Sequence, residues 1–402
     1  MEEWKQKEFG ELYQVPSRNG LSKPSRVRGT GYKMINMGEL FSNDRIYDID
    51  MELVPLTDSE KEKAKVEEGD LLFARQSLVA SGAGKCSIVM ETSELTVFES
   101  HLIRVRLNQK IADPMFYYYY FKSSKSPMRT IIEHCVQAGI KASDLEKLVV
   151  RVPPIEEQRK ISEALSRIDD KIELNIEVNK NLQKQAHEFY KAWFVSFEAF
   201  GGEMPSTWNV TKLGDIATIK TDSFSPAKNP TVMLEHYSIP TFDEKKYPVF
   251  ELASNVKSNK YILTNNSVLI SKLNPDIKRV WRPMCISEFA VCSTEFIIFE
   301  ANNPTYKDYV FSVIDSAAFS DWMCAHTTGS TNSRQRTTPS TTLEFQIALP
   351  NQEVISDFCK IVTPMYDMIA QNICENQKLA AFRDSLLPKL MTGELDVSYL
   401  DL

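Results

Sequence analysis

The chain has 402 residues, of which 43% are hydrophobic and 10% aromatic, so it is long enough for two or three packed domains and lacks the composition of a disordered protein. Its first ten residues are charged and no run of about 18 apolar residues occurs, which predicts a cytoplasmic protein that does not span a membrane. The seven cysteines are scattered without a C-x-x-C pair, which indicates reduced thiols and argues against a disulfide framework or a metal site.

The net charge of −7 is concentrated in two segments. Residues 155–200 contain nine acidic and seven basic residues, and residues 349–402 contain eight acidic and four basic residues. The remaining 302 residues therefore carry about −1. A protein whose acidity is confined to particular segments can still bind DNA through basic clusters elsewhere.

The first part of the chain has the pattern of a mixed α/β domain. Residues 69–74 (GDLLFA) and 101–107 (HLIRVRL) are rich in β-branched and apolar residues and predict strands. Residues 113–124 (DPMFYYYYFKSS) predict a helix. Its tyrosines could stack on nucleic-acid bases, but packing in a core is the favoured interpretation.

The segment GAGKCS (residues 82–87) is similar to a phosphate-binding loop, but it fails the Walker A pattern. Val79 and Cys86 occupy the places where that pattern needs Gly and Ser or Thr. The sequence therefore excludes this form of ATP binding. Two interpretations remain: a turn whose Lys85 contacts a phosphate backbone, and a plain surface turn.

A long helix is predicted from Ile155 to about Val195, roughly 60 Å in length. Its a/d seam consists of Ile161, Leu165, Ile168, Ile172, Asn175, Asn179, Leu182, Ala186 and Phe189. A buried polar pair costs stability, so we interpret Asn175 and Asn179 as residues that set the register of helix pairing. The alternative is that both are merely solvated.

The seam pattern returns 197 residues later, without a gap. Its positions are Phe358, Val362, Met365, Ile369, Asn372, Asn376, Leu379, Arg383 and Leu386. Three further segment pairs match in the same order, at offsets of 197, 204 and 194: residues 69–74 with 266–271, 4–12 with 208–216, and 96–105 with 290–299. This order predicts two copies of one unit.

The second copy repeats the predicted elements of the first. Residues 266–271 (NSVLIS) and 295–299 (EFIIF) predict strands, and residues 304–323 predict a helix. Pro364 interrupts the second seam, which predicts either a kink or a helix that restarts with Thr363 as its N-cap.

Two equivalent seams in one chain most simply pair with each other. The predicted fold is α+β: two pseudo-symmetric α/β globular domains joined by two long helices that pack as an antiparallel coiled coil. The predicted segments are a first globular domain, a first spacer helix, a second globular domain and a second spacer helix, at residues 1–152, 153–200, 201–348 and 349–402.

The sequence shows no reaction centre. It lacks the [DN]-P-P-[YF] element of an amino-methyltransferase, the G-x-G-x-x-G of a cofactor loop and the G-x-S-x-G of a hydrolase. A nuclease site would need a pair of carboxylates with a nearby lysine in a predicted strand, and the sequence has no such group. We therefore predict no catalytic residue, no bound cofactor and no metal ligand.

Basic and polar clusters occur at matching places in the two copies: residues 74–85 and 136–144 in the first, and 271–283 and 327–336 in the second. Arg, Asn and Gln can read base edges, whereas Lys and hydroxyl groups hold phosphates. A solvated loop explains any single residue at least as well, but the recurrence favours DNA binding. The candidate DNA-binding residues are Arg75, Gln76, Lys85, Lys141, Lys272, Asn274, Lys278, Arg279, Arg282, Thr331, Asn332, Arg334, Gln335 and Arg336.

The chain resembles the specificity subunit of type I restriction–modification systems. The segments that carry the resemblance are residues 150–175, which include PPIEEQRKI, 189–198, 328–336, and 383–395, which include LLPKLMTGEL. The resemblance implies two target-recognition domains, each reading one half of a bipartite site in double-stranded DNA, and helices that fix the gap between the halves.

The resemblance also implies partners for a chain that is not itself catalytic. Two modification subunits would bring S-adenosylmethionine and the adenine methyltransferase site, and restriction subunits would bring ATP-driven translocation and cleavage. The second spacer departs from the pattern, because LPNQEVISDF (residues 349–358) lacks the E-E-Q of the first. The alternatives are a fused methyltransferase or nuclease, and a coiled-coil scaffold without DNA specificity.

Overall fold

The computed structural model describes residues 4–77, 82–134, 138–328 and 335–397. The chain divides into two compact units: unit 1, Met1–Lys171 with Lys378–Leu402, and unit 2, Ile172–Gln377. Each unit combines an α/β part with stretches of two long helices, α5 (Ile155–Phe194) and α10 (Gln352–Thr392). This division cuts both helices, whereas the predicted boundaries separate helices from globular parts.

Unit 1 begins with a strand that pairs with the strand leading into α5. Its strands are β1 (Lys5–Glu8), β2 (Tyr13–Asn19), β3 (Tyr32–Ile35), β4 (Arg45–Ile46), β5 (Glu52–Val54), β6 (Leu71–Ala74), β7 (Gln76–Ser77), β8 (Cys86–Val89), β9 (Thr96–Phe98), β10 (Leu102–Leu107), β11 (Glu133–His134), β12 (Ala138–Gly139) and β13 (Val149–Val152). Its short helices are α1 (Met37–Ser42), α2 (Asp58–Ala64), α3 (Pro114–Lys122) and α4 (Ala142–Glu146).

The largest sheet of unit 1 has the order β2-β10-β6-β8-β4, with β4 parallel to β8 and the other pairs antiparallel. A second sheet has the order β5-β3-β9, a third the order β11-β12-β7, and β1 pairs with β13. Every residue of β6 is buried, which its apolar LLFA sequence favours. The large sheet therefore forms the centre of the unit.

Unit 2 repeats this order of elements. Its strands are β14 (Asn209–Lys212), β15 (Ala217–Lys220), β16 (Ser223–Phe224), β17 (Met233–Tyr237), β18 (Val249–Leu252), β19 (Lys260–Ile262), β20 (Ser267–Ser271), β21 (Val280–Trp281), β22 (Ala290–Cys292), β23 (Phe296–Ala301), β24 (Thr327–Thr328), β25 (Arg336–Thr337) and β26 (Gln346–Leu349). Its short helices are α6 (Ile239–Lys245), α7 (Lys307–Ile314), α8 (Ala317–Ala325) and α9 (Pro339–Thr342). The sheets are β15-β23-β20-β21, β16-β19-β22-β17-β18, β14-β26 and β24-β25.

Strand register confirms that the two units are copies. In unit 1, Leu102 pairs with Ala74, and in unit 2 the equivalent residues Phe296 and Ser271 pair in the same antiparallel manner. The parallel pairs agree as well, because β3 lies beside β9 as β17 lies beside β22. The offsets of 194 and 197 residues that link these pairs are those predicted from the sequence.

The tyrosine run of α3 belongs to the core of unit 1. Asp113 caps the helix by accepting a hydrogen bond from the backbone N–H of Phe116, and Pro114 occupies its first turn. Tyr117, Tyr118 and Tyr119 are at most 1% exposed, so they cannot stack on bases. The predicted helix and its core packing are confirmed.

Two helix predictions for unit 2 need correction. Residues 304–323 form not one helix but α7 and α8, because the backbone turns at Asp315 and Ser316, and the Ser316 side chain caps α8. The restart of the second long helix at Thr363 is wrong, since α10 continues through Pro364. The Thr363 hydroxyl instead donates a hydrogen bond to Asp308 at 2.6 Å.

None of the helices formed by the described residues is long and apolar enough to cross a membrane. In the same ranges, no group of three or more His, Cys, Asp and Glu side chains is placed to hold a metal ion. The six cysteines within these ranges form no disulfide, and Cys86, Cys292 and Cys359 are buried. Burial raises the pKa of the Cys359 thiol to about 11, so it stays protonated near neutral pH.

Candidate nucleic-acid interface

The two polar clusters of unit 2 meet at the end of strand β20. Leu273 forms a β-bridge with Arg336, and the backbone N–H of Asn274 donates to the carbonyl of Gln335 at 3.0 Å. The backbone N–H of Thr337 donates to the carbonyl of Lys272, also at 3.0 Å. Segments about 60 residues apart in the sequence thus form one short ribbon.

The two clusters of unit 1 meet in the same way. Gln76 pairs with Gly139, and the backbone N–H of Ile140 donates to the carbonyl of Arg75 at 2.9 Å. Adding 197 to residues 76 and 139 gives Leu273 and Arg336, which form the bridge of unit 2. Both units therefore place their candidate residues on equivalent ribbons.

Part of each ribbon is not described. The candidates Thr331, Asn332 and Arg334 lie outside the described residues, so their role in DNA binding stays a prediction. Gln335 lies next to the described edge of the ribbon, and its side chain is partly exposed.

Three predicted DNA-binding cations of unit 2 form ion pairs with carboxylates of the same unit. Lys278 lies 2.8 Å from Asp315, and Arg279 contacts both oxygens of Asp243 at 2.6 and 2.8 Å. Arg282 contacts both oxygens of Asp308 at 2.6 and 3.1 Å, and a second carboxylate, Asp367 of α10, at 2.8 Å.

These contacts favour a structural role for Lys278, Arg279 and Arg282. The Asp308 and Asp315 side chains are only 4% and 5% exposed, and a buried carboxylate needs a cation beside it. Burial alone would raise the pKa of Asp315, but His187 and Lys278 outweigh burial and hold that pKa below its ordinary value. The prediction that the three cations contact DNA is not tested by these contacts and stays a prediction.

The other described candidates of unit 2 lie on the ribbon itself. Arg336 forms a two-bond ion pair with Glu295, at 3.0 and 3.2 Å, and its side chain remains 44% exposed. Asn274 has a φ of +48°, and its Oδ1 is buried without a hydrogen-bond partner among the described residues. In the same ranges Lys272 has no ion-pair partner, so it is the cation of this ribbon best able to meet a phosphate.

The candidates of unit 1 are held in part by their neighbours. The Lys85 ammonium donates to the carbonyl of Phe41 at 2.8 Å and lies 3.2 Å from Asp44. The side-chain oxygen of Gln76 lies 3.2 Å from Nδ1 of His101. Lys141 immediately precedes α4 and is exposed. Arg75 is partly exposed and has no ion-pair partner among the described residues.

The four seam asparagines form a ladder within unit 2. Asn175 Nδ2 donates to Asn376 Oδ1 at 2.8 Å, and Asn372 Nδ2 donates to Asn179 Oδ1 at 2.8 Å. Since partner numbers rise on one helix as they fall on the other, the helix stretches are antiparallel there. Asn175 is 3% exposed, and both Asn175 and Asn179 bond with asparagines of the other helix, so neither is merely solvated, while their role in setting register stays a prediction.

The ladder also has two-fold character. Asn376 Nδ2 donates to the carbonyl of Ile172 at 3.2 Å, and Asn179 Nδ2 donates to the carbonyl of Ile369 at 3.5 Å. Each bond converts into the other by a shift of 197 residues and an exchange of helices. Glu375 breaks the symmetry, because it accepts a further bond from Asn175 at 2.7 Å.

Sequence reasoning missed two buried polar residues of α5 in unit 1. Gln158 is fully buried, and its amide bonds with the backbone of Ile111, Asp113 and Pro153. Asp169 is 5% exposed and contacts Arg383 at 2.5 Å. The sequence did contain a signal for Asp169. Arg383, its partner, occupies a seam position where the first copy has the apolar Ala186, and an arginine in an apolar seam needs a carboxylate partner.

The sequence of the chain is similar to known proteins over most of its length. Residues 1–184 match the family model described as type I restriction modification DNA specificity domain. The MjaIX specificity subunit of a Methanocaldococcus jannaschii type I restriction enzyme is 26% identical over 331 residues, which are 72% of this chain and 70% of the relative. The HindI specificity subunit of Haemophilus influenzae is 21% identical over 474 aligned positions, which cover 98% of this chain and all of the relative.

A solved structure supports the same fold. The crystal structure of the S subunit of a type I restriction–modification system from M. genitalium superimposes with a TM-score of 0.62 at 16% identity, and the match covers 96% of each chain. At this identity the likeness shows the fold alone. Residues 1–184 thus match the type I restriction–modification DNA specificity domain, and most of the chain is similar to specificity subunits of type I restriction enzymes.

Proposed function

We propose that this protein is the non-catalytic DNA-recognition subunit of a type I restriction–modification complex. Each globular part reads one half of a bipartite site in double-stranded DNA, and the paired long helices set the gap between the halves. The observation that carries this proposal is the equivalent ribbon in each unit, where Gln76 meets Gly139 and Leu273 meets Arg336.

The ribbons suit base reading because they combine a rigid base with exposed polar side chains. Each continues a buried strand of the central sheet, β6 or β20, which holds the backbone in place. Arg336 and Gln335 in unit 2 and Arg75 and Gln76 in unit 1 can form paired hydrogen bonds with base edges. Equivalent ribbons with different side chains fit a protein that reads two different half-sites.

In this proposal the partners supply the chemistry. Two modification subunits bind the chain and methylate adenine with S-adenosylmethionine, and restriction subunits add ATP-driven translocation and cleavage. We expect the isolated chain to bind DNA weakly, because its nearly neutral globular parts neutralise few phosphates. Nanomolar, salt-insensitive binding by the isolated chain would contradict this expectation.

Methylation mapping tests the proposal directly. The chain is co-expressed with the modification subunits, and the methylated motif is read from the host DNA by single-molecule sequencing. A bipartite motif that is absent when the chain is omitted supports the proposal. Methylation independent of the chain would leave the coiled-coil scaffold as the better interpretation, and methyl transfer by the chain alone would favour a fused enzyme.

Exchange of ribbon residues tests the assignment of half-sites. Replacement of Gln335 and Arg336 should alter one half-site only, since a lost base contact costs about 1–3 kcal/mol at that position. The matched exchange of Arg75 and Gln76 should alter the other half-site only. If either exchange removed the preference for both half-sites, the ribbon would be structural.

An insertion in the first long helix tests the role of the helices. Four residues placed near Lys180 add about 6 Å, which is close to two base pairs of DNA at about 3.4 Å each. The gap in the methylated motif should change while both half-sites stay the same, because no ribbon is touched. An unchanged gap with intact methylation would show that the helices do not set the spacing.

A further inference from the structure

A groove in unit 1 lies beside its ribbon and carries excess positive charge. It has a volume of about 620 Å³, and its floor is formed by Phe121, Met128 and Gly84. Ile140, which directly follows the ribbon strand β12, lies within 3.8 Å of a Cβ placed on Gly84. The groove therefore adjoins the ribbon that carries Gln76 and Lys141.

The walls of the groove are cationic and hydroxylated. Lys85, Lys122 and Arg129 line it together with Ser123, Ser124 and Ser126. Lys85 and Lys122 share a single carboxylate, Asp44, at 3.2 and 2.7 Å. Burial alone would raise the pKa of Asp44, but Lys122 and Lys85 outweigh burial and keep that carboxylate ionised.

Two further cations are not neutralised at all within the described residues. Arg129, in the short 3-10 helix Pro127–Thr130, is exposed and forms no ion pair in these ranges. Lys125 is exposed as well, and it stands in the chain between the lining serines 124 and 126. Four cations against one carboxylate leave this region with an excess of about three positive charges.

The turn at Gly84 packs closely against Met128 of the 3-10 helix. Gly84 has a φ of +73°, and a Cβ at this position would lie 2.7 Å from Cγ of Met128. Any other residue would have to adopt a left-handed backbone conformation and displace the Met128 side chain. Glycine therefore lets the 82–85 turn pack closely against the side chain of Met128, which belongs to the same 3-10 helix as Arg129.

We propose that this groove binds the phosphodiester backbone of duplex DNA, with Lys125 and Arg129 as phosphate contacts. The inference rests on the proposed function and adds to it a site that is separate from base reading. Lysine, arginine and hydroxyl side chains are the groups that hold phosphates without reading sequence. The groove fixes the first ribbon on the duplex, and its contribution to affinity is the same for every sequence.

Within the described residues, the basic cluster 271–283 of unit 2 is largely neutralised by carboxylates. Lys278, Arg279 and Arg282 are paired with Asp315, Asp243 and Asp308 respectively, and in the described residues only Lys272 of that cluster is unpaired. Among the described residues, the groove region of unit 1 therefore has more unpaired cations, Lys125 and Arg129, than this cluster of unit 2.

The test compares the full-length chain with the double variant Lys125→Ala/Arg129→Ala. Binding to a short duplex that lacks the methylated motif is measured from 50 to 200 mM salt. The slope of log affinity against log salt should fall by about 2 units, so the loss of affinity across this range shrinks about tenfold. The matched control is Lys63→Ala/Lys110→Ala, which removes two exposed lysines of unit 1 away from the groove and should leave the slope unchanged.

Further arms identify the ligand and separate this inference from the proposed function. Lys125→Arg/Arg129→Lys keeps both charges and should restore the slope. An unchanged slope in the alanine variant, or an equal fall in the control, overturns the inference, as does calorimetric binding of inorganic phosphate without any effect on duplex binding. The methylated motif is mapped for each variant: its half-sites should be unchanged, and a failure to find any bipartite motif counts against the proposed function alone.

Discussion

The two units attach their globular parts to the long helices at equivalent positions but with different partners. In unit 1, Asp170 of α5 pairs with Arg45 of β4 at 2.5 Å. In unit 2, the equivalent Asp367 of α10 pairs with Arg282, which follows β21. The two arginines come from non-equivalent strands, so the duplication kept the carboxylate on the helix while the globular part supplied the cation anew.

The environments of these ion pairs differ as well. Arg45 is the buried member in unit 1, where its side chain is 2% exposed and that of Asp170 is 60% exposed. In unit 2 the arginine is again the more buried member, with Arg282 15% and Asp367 52% exposed, but Arg282 also pairs with a second carboxylate, Asp308, that is only 4% exposed. The comparison teaches that equivalent positions do not imply equivalent energies.

The starts of the two long helices show the same divergence. Gln158 of α5 is fully buried and bonds with the backbone around it, whereas its equivalent in α10, Ile355, is fully buried in an apolar cluster. In unit 1 a side-chain amide pairs with backbone N–H and carbonyl groups, whereas in unit 2 an apolar side chain packs at the same position.

The largest expected effect comes from Arg282. Arg282→Met leaves the buried Asp308 carboxylate without its cation and should lower the free energy of unfolding by about 3–5 kcal/mol. Arg45→Met leaves the Asp170 carboxylate in contact with solvent, because its side chain is 60% exposed, and should cost clearly less. Chemical denaturation of both variants measures the difference, and the double variant Arg282→Met/Asp308→Asn should recover part of the loss. Equal losses for Arg282→Met and Arg45→Met would contradict the comparison.

An exchange at the helix starts is the next largest test. Gln158→Leu leaves the N–H of Asp113 and two carbonyls unpaired, which should cost about 1–3 kcal/mol. The reciprocal Ile355→Gln buries an amide among apolar side chains and should cost a similar amount. Both are read from denaturant midpoints. If either unit tolerated the other unit's residue, the two positions would be interchangeable and the divergence would have no energetic basis.

The asparagine ladder should respond less strongly and in a paired manner. Asn175→Leu removes a donor from Asn376, which is partly exposed, so the loss of stability should be about 1 kcal/mol. Asn175→Leu/Asn376→Leu replaces both partners and should recover most of that loss. Methylation mapping of the double variant then shows whether register survives: a mixture of gap lengths is expected, and a single unchanged gap would mean that the ladder does not set register.

The smallest expected effect is a pH dependence confined to unit 2. The hydrogen bond and charge of Asp315 raise the pKa of His187 above its ordinary 6.5, although burial and Lys278 oppose the shift. The protonated imidazole therefore adds stability below about pH 6.5, and this is lost as pH rises through the folded-state pKa. For a half-exposed ring the effect should be under about 1 kcal/mol. His187→Gln should remove this contribution and leave that of the partly buried His236, whose pKa is lowered by burial, and a wild-type profile of stability between pH 5 and 8 in this variant would exclude His187.

The sequence predicted what depends on pattern and repetition. The first long helix ends at Phe194, within one residue of the prediction, because heptad spacing and the preceding prolines define it. The strand pairs recur at the predicted offsets because duplication keeps hydrophobic pattern and register together. The antiparallel pairing of the two seams was predicted from their equivalence, whereas the individual asparagine partners were not.

What depends on charge pairing across the fold could not be predicted. Lys278, Arg279 and Arg282 look like a basic DNA-binding cluster in sequence, yet their carboxylates come from Asp315, Asp243 and Asp308, between 26 and 37 residues away. Lys125 and Arg129, by contrast, were not among the predicted DNA-binding residues, and neither has an ion-pair partner in the described residues. A run of basic residues in the sequence shows where positive charge lies, but it does not show whether carboxylates elsewhere in the fold already neutralise that charge.

The asparagine ladder meets the condition that defines an isologous interface. Asn175 contacts Asn376 and Asn372 contacts Asn179, so each helix offers the other the same pair of residues in the same order. Such a surface is self-complementary, and two identical helices would satisfy it as well as two covalently joined ones. The single polypeptide thus contains the contact geometry of a two-fold homodimer, the arrangement from which fusion of two identical genes would produce this duplicated chain.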